Sequence, residues 1–190
     1  MKTQNKWFMF IILLISSITV GLSQLKIAAV LGSVAESLGV SVSQAALLMS
    51  LFTVAGIVLA VPGAAIMAKT GSKNLLLALM ASLVLGNVMG VLANSFNVMM
   101  ISRVIEGISY AMIIMVGIDM ISVWFADGGA GTATGIFNTF AAAANFIAMN
   151  ASIPIMHAMG LKALWWTIAA VAAVCFILVL LFMRIPERFS

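Results

Sequence analysis

The stretch VMMISRVIEGISYAMIIMVGIDMISVWF, residues 98–125, decides the fold. It is almost wholly apolar over more than the roughly 20 residues that a helix needs to cross a bilayer, and it lacks the alternation of a half-buried strand. Yet it holds Arg103, Glu106 and Asp119. A charge at the bilayer centre costs about 2.5 to 3.5 kcal/mol on insertion scales, so the charged face must turn toward protein or water. Arg103 and Glu106 are three residues apart, on one helical face and within reach of each other, and Tyr110 continues that face one turn on. Asp119 lies near the end of the run, close to interfacial water.

Working outward, five further apolar segments cover approximately residues 7–25, 45–68, 75–93, 132–156 and 163–183. With 98–125 they make six spans. Short links with turn chemistry, such as Thr70-Gly71-Ser72-Lys73-Asn74 and Asn94-Ser95-Phe96-Asn97, force neighbouring helices to run antiparallel. The 190 residues are 64% hydrophobic and 7% charged, too few polar side chains to cover a water-soluble globule. Backbone groups unpaired in hydrocarbon leave only helices or closed barrels, and long runs without alternation select helices. The expected fold class is all-α: a polytopic membrane protein in which residues 1–190 form a single six-helix transmembrane domain, with the lipid bilayer as its first partner.

A net charge of +4 does not imply nucleic acid, because the nine basic residues are scattered singly between apolar runs. They read as orientation signals. Lys2, Lys6, Lys69, Lys73, Arg184 and Arg188 fall on one side and Lys26 and Lys162 near the other, which predicts cytoplasmic termini. Lys2 and Lys6 before an apolar run also resemble a secretory signal. Its removal would leave five spans and oppose Lys69 and Lys73 to Arg184 and Arg188, so the segment is read as span one. Trp7, Trp124, Trp165 and Trp166 sit at span ends, as interfacial anchors do.

The Arg103–Glu106 pair has two readings: a cavity-facing site for solute or proton, with Tyr110 beside it, or an ion pair that docks span four. Span one carries Ser16, Thr19, Ser23 and Lys26 at helical spacing. That stripe either lines a pore or consists of intrahelical hydroxyl bonds with Lys26 snorkelling to the outer surface. Gly135, Ala142, Asn138 and Asn145 on span five, and Gly56 and Ala60 on span two, form small-residue surfaces suited to contact with another helical half, and Pro154 is a candidate kink. Cys175 reads as a packed or lipid-facing thiol, and His157, the single histidine, as an interfacial side chain. No metal site, cofactor or catalytic residue is expected. Asp127-Gly128-Gly129-Ala130 lacks the further aspartates of a two-metal transferase, and Gly107-Ile108-Ser109-Tyr110 breaks the intramembrane serine-protease pattern.

Two motifs carry a resemblance. Residues 64–73, Ala64-Ala65-Ile66-Met67-Ala68-Lys69-Thr70-Gly71-Ser72-Lys73, are similar to the cytoplasmic signature G-x-x-x-D-[RK]-x-G-x-[RK] of the major facilitator superfamily. Lys69, Gly71 and Lys73 match; Ala64 and Ala68 replace the glycine and the aspartate, which puts the family's latch between helices in doubt. Arg103-Val104-Ile105-Glu106-Gly107 with Ala111 resembles the fourth-helix pattern R-x-x-[QE]-G-x-x-x-A of the same family. Trp124-Phe125 with Leu25-Lys26 looks closest to its nitrate and cyanate-type anion branch.

The resemblance implies a 3+3 bundle, half of a major facilitator fold, in a plasma membrane such as a prokaryotic inner membrane. It implies alternating access for a small anionic or polar solute, with protons as a candidate coupling partner. Spans one and four would line the cavity, with Arg103, Glu106, Tyr110, Lys26, Ser23 and Thr19 as its residues, while spans two and five would meet the second half. The family normally has two such halves, and this chain reaches Pro186-Glu187-Arg188 where the central loop would begin. A homodimer partner, a separate subunit or a C-terminal half is therefore expected. The competing expectation is a non-transporting membrane fragment or scaffold.

Overall fold

The computed structural model describes residues 5–185, apart from the side chains of Ala60, Val61 and Ala111. Lys2 and the segment around Arg188 lie outside these residues, as do the side-chain placements of Ala60 and Ala111. Every regular element among the described residues is helical: α1 (Lys6–Leu25), a 3-10 turn (Ala28–Val30), α2 (Leu31–Leu38), α3 (Val42–Thr70), α4 (Ser72–Leu92), α5 (Phe96–Trp124), α6 (Ala130–Phe137), α7 (Phe140–Met159) and α8 (Ala163–Phe182). They make six spans long and apolar enough to cross a membrane, with α1–α2 and α6–α7 each acting as one interrupted span. The chain is built as a multi-pass, all-helical membrane protein.

Local chemistry sets the helix ends. Asn5 accepts from the Trp7 N–H at 3.0 Å, and Ser41 and Gln44 form a reciprocal capping box at the start of α3. One residue, Gly71, separates α3 from α4. Its φ of 78° lies in the region that side chains avoid, which allows the chain to reverse in so short a link.

The long helix α5 packs most extensively on α3 and α4, α4 packs on α8, and α1 on α7. Buried Leu13, Val20, Leu76, Leu79, Met80, Leu83, Ile113, Val116 and Val179 form the core between α1, α4, α5 and α8. Ile57, Val58, Leu85, Phe146 and Leu181 project outward, as they should where the solvent is lipid. The approach of α3 to α5 depends on Gly107, where a Cβ would collide with the Phe52 carbonyl oxygen. Backbone cannot yield as a side-chain tip can. Gly107→Ala is therefore expected to lower stability by about 1 to 3 kcal/mol, the usual range for overpacking. Unfolding in mixed micelles measures this, and wild-type stability in that variant would refute the close approach.

Several expectations are corrected. Span one does not stop at Leu25: helix resumes and carries the chain to Leu38. Lys26 was placed near the outer surface but is 2% exposed, because the interruption after Leu25 lets its side chain fold back among the helices. Span five is interrupted at Asn138–Thr139, where the Thr139 hydroxyl donates to the Ile136 carbonyl at 2.7 Å, while Pro154 lies within an uninterrupted stretch of α7. Gly56 was expected on an outward surface but is buried, on the inner side of α3. Trp165, expected as an interfacial anchor, is 1% exposed, and Trp124 is buried with its indole N–H donating to the Arg184 carbonyl at 3.0 Å. Trp7 and Trp166 are exposed.

Candidate functional site: a buried charged cluster at the break in span one

Ending α1 at Leu25 leaves the carbonyls of its last turn without intrahelical partners. Arg103 of α5 reaches them. Its Nη1 donates to the Ser23 carbonyl at 2.8 Å and its Nη2 to the Gln24 carbonyl at 3.1 Å, while Nε donates to the Leu48 carbonyl of α3 at 3.2 Å. A cation at a helix C-terminus also meets the negative end of the helix dipole. The guanidinium lies 4.5 Å from the centroid of the Phe52 ring, a cation–π arrangement.

Glu106, one turn along α5, gathers the charges. Its Oε2 receives Arg103 Nη1 at 2.5 Å, Lys26 Nζ at 2.8 Å and the Ser23 hydroxyl at 2.7 Å. The Ser102 hydroxyl stands 3.2 Å from Oε1 and 2.8 Å from the Gly86 carbonyl. Lys26 completes its three donations with Asn87 Oδ1 at 2.5 Å and Ser23 Oγ at 3.3 Å, and its ammonium sits 5.1 Å from the centroid of the Trp165 ring. Five helices thus converge on two cations and one carboxylate, a net positive charge in the middle of the bundle.

The sequence-predicted residues divide. Arg103, Glu106, Ser23 and Lys26 come together in one bonded group. Tyr110 stands one turn beyond, partly exposed, its ring 5.6 Å from that of Phe52 and without a bond to the pair. Thr19 does not join them: its hydroxyl donates to the Ile15 carbonyl at 2.8 Å and lies 3.8 Å from Cys175 Sγ of α8. Ser16 likewise bonds within its helix, to Ile12 at 2.8 Å. The span-one stripe is therefore two things, intrahelical bonding below and a charged site above.

Of the two readings of the pair, a cavity-facing site or a docking ion pair, neither side chain opens onto a water-filled space here, since Arg103 and Glu106 are both fully buried. What lies beside Lys26 is a small cleft of about 70 Å³ between α1, α7 and α8, lined by Leu22, Ser152 and Thr167 among others. Sequence reasoning missed Asn87, Ser102, Phe52 and Trp165. Asn87 was the detectable one, an amide between Gly86 and Gly90 within a long apolar run. Asn87→Leu is expected to cost about 1.5 to 3 kcal/mol, the range for a bond to a charged group, and calorimetry of the purified variant measures it.

At the end of the bundle that holds the N-terminus, the signature-like loop is open. Lys69 is exposed, Gly71 makes the turn, and Lys73 Nζ donates to the Leu180 carbonyl near the end of α8 at 3.2 Å. Asp119 of α5 accepts from the Ser72 hydroxyl rather than standing free at the surface. Gly135, Asn138, Ala142 and Asn145 all lie exposed along α6 and α7. Among the described residues no three His, Cys, Asp or Glu side chains gather as metal ligands.

A family model described as Major Facilitator Superfamily matches residues 9–190. No curated protein matches the chain.

Proposed function

We propose, since the chain belongs to the major facilitator superfamily, that it is the half of a secondary transporter that carries the charge for binding a small anion. Transport and the superfamily fold are properties of the family; the solute, the second half and the membrane are inferred. One observation carries the reading: the group formed by Lys26, Arg103 and Glu106 has a net positive charge, is fully buried, and sits where span one is interrupted. Intramembrane charges mark solute and ion pathways, and interrupted helices at mid-membrane depth are a recurrent way to build such sites. An anionic solute would take the place of Glu106 against Lys26, and a proton arriving at Glu106 would release both cations.

A second six-helix half, whether another copy of this chain, a separate subunit or a C-terminal half, would cover the exposed face of Gly135, Asn138, Ala142 and Asn145, where small side chains permit close helix contact. Rocking between the halves would open the closed group to one side and then the other. The position of Lys6, Lys69, Lys73 and Arg184 at one end of the bundle supports cytoplasmic termini, in a plasma membrane such as a prokaryotic inner membrane. An anionic solute also agrees with the nitrate and cyanate-type resemblance.

The sealed state of the cluster, with every Lys26 and Glu106 bond made inside one half, favours a second reading: a non-transporting membrane protein in which these charges only lock α1 onto α5. Transport by purified protein in proteoliposomes separates the two. Steps in concentration of a panel of monovalent anions should evoke current in wild type, with about tenfold loss or more in Arg103→Ala and Glu106→Gln, equivalent to about 1.4 kcal/mol of lost solute binding. Equal flux in wild type and both variants overturns the proposal.

A further inference from the structure

Arg103 is fully buried, yet the walls around it are unequal. Where α5 meets α3, Gly107 brings the two backbones together, and where α5 meets α4, a Cβ on Gly86 would fall 2.6 Å from Glu106 Cγ. α1 is held as closely to α7, since a Cβ on Gly21 would fall 2.6 Å from that of Ala144. Buried Ile27, Leu48 and Trp165 close the cluster toward the end remote from the N-terminus, and buried Val20, Leu83 and Ile113 close it toward the other.

One side is thinner. Between α1 and α3, which meet only briefly, the Gln24 amide donates to the Thr53 hydroxyl at 3.3 Å. Both residues adjoin groups that hold Arg103. Its Nη2 donates to the Gln24 carbonyl at 3.1 Å, and its guanidinium lies 4.5 Å from the ring centroid of Phe52, the neighbour of Thr53. Gln24 and Thr53 are each partly exposed, although both lie within transmembrane spans. An amide turned to hydrocarbon would forgo its bonds to water, so this side of the bundle faces protein or a water-filled space. Side-chain bonds across membrane helices are weak on average, so such a pair parts readily.

We propose that the Gln24–Thr53 bridge is the door to the charged cluster, and that the solute reaches Arg103 through the seam between α1 and α3. That what passes is a small anion rests on the transport reading; the place of the door rests on the packing. Parting the bridge uncovers Arg103 Nη2 and frees the Gln24 N–H, so an arriving anion takes its first bonds from one amide and one guanidinium. The rival route is the small cleft beside Lys26 between α1, α7 and α8. Its wall is mainly apolar, with Leu22, Ile147, Ile155 and Ile168, and offers an anion little to bond before Lys26.

Thiol labelling of the full chain in lipid nanodiscs tests it, with Ser23→Cys in a Cys175→Ser background as the reporter and sulfonatoethyl methanethiosulfonate as the probe. Thr53→Ala and Gln24→Ala should each speed labelling at residue 23 by about three- to tenfold, the population shift for losing one side-chain bond. Thr53→Ser keeps the hydroxyl and should keep the original rate. Thr167→Ala widens the rival cleft and should leave the rate unchanged. The native thiol of Cys175, buried between α8 and α1, reports general loosening when Ser23 is intact, and its rate should not rise in Thr53→Ala. Unchanged labelling at residue 23 in Thr53→Ala and Gln24→Ala, an equal rise in Thr167→Ala, or an equal rise at Cys175 would each overturn the proposal. These rates need no flux, so a failure of the transport reading, seen as equal anion current in wild type, Arg103→Ala and Glu106→Gln, is read separately from them.

Discussion

Replacing Glu106 by Gln is expected to cost about 3 to 5 kcal/mol of unfolding free energy, the usual penalty for removing one partner of a buried ion pair. The amide keeps the shape of the side chain but removes the only negative charge of the cluster, leaving Arg103 and Lys26 facing each other among helices that exclude water. Its NH₂ group would also point donors at donors. Lys26→Met is expected to cost much less, because it removes the unbalanced cation and leaves Arg103 and Glu106 as a neutral pair. Unfolding of the purified variants in mixed micelles measures both. Equal losses in the two variants would mean that charge balance is not what governs the cluster.

Arg103→Met is expected to be comparably severe, for a different reason. The guanidinium supplies partners to the carbonyls of Ser23 and Gln24 at the end of α1 and of Leu48 on α3. Each buried carbonyl left without a donor costs about 1 to 3 kcal/mol, so a total loss of about 3 kcal/mol or more is expected even after partial relaxation. Arg103→Lys should recover less than half of it. An ammonium is a point charge without the planar fork that reaches two helices and Glu106 together. Hydrogen exchange should show the last turn of α1 opening in both variants; full protection in Arg103→Lys would contradict the capping role.

These effects rest on residues that were unequally visible in the sequence. The six spans followed from apolar length, and the Arg103–Glu106 pair from a three-residue step in a setting where an isolated charge is too costly. The outward stripe Gly135, Asn138, Ala142 and Asn145 followed from helical spacing. Lys26 was harder. A lysine at the end of an apolar run can snorkel or turn inward, and the choice depends on Glu106 and Asn87, distant in sequence and brought close by packing. Once it turns inward, the helix resumes beyond it, which is why span one extends past Leu25. Gly56 shows the other limit: a small residue signals close approach without saying which neighbour approaches, and here it is buried within the bundle, where α3 packs extensively on α5. Thr19 shares a helix face with Ser23 in spacing, yet one turn separates a hydroxyl against Cys175 from one against Glu106.

The central claim is that a charged group closed in this structure meets water during the working cycle. Ser23→Cys, in a Cys175→Ser background, places a near-isosteric thiol at the hydroxyl that bonds Glu106. The direct measurement is its labelling by membrane-impermeant sulfonatoethyl methanethiosulfonate added to either face of sealed vesicles. The transport account predicts slow but complete modification from both faces under native conditions. Modification that occurs only after denaturation would show the cluster to be a permanently dry structural lock, and would contradict the account.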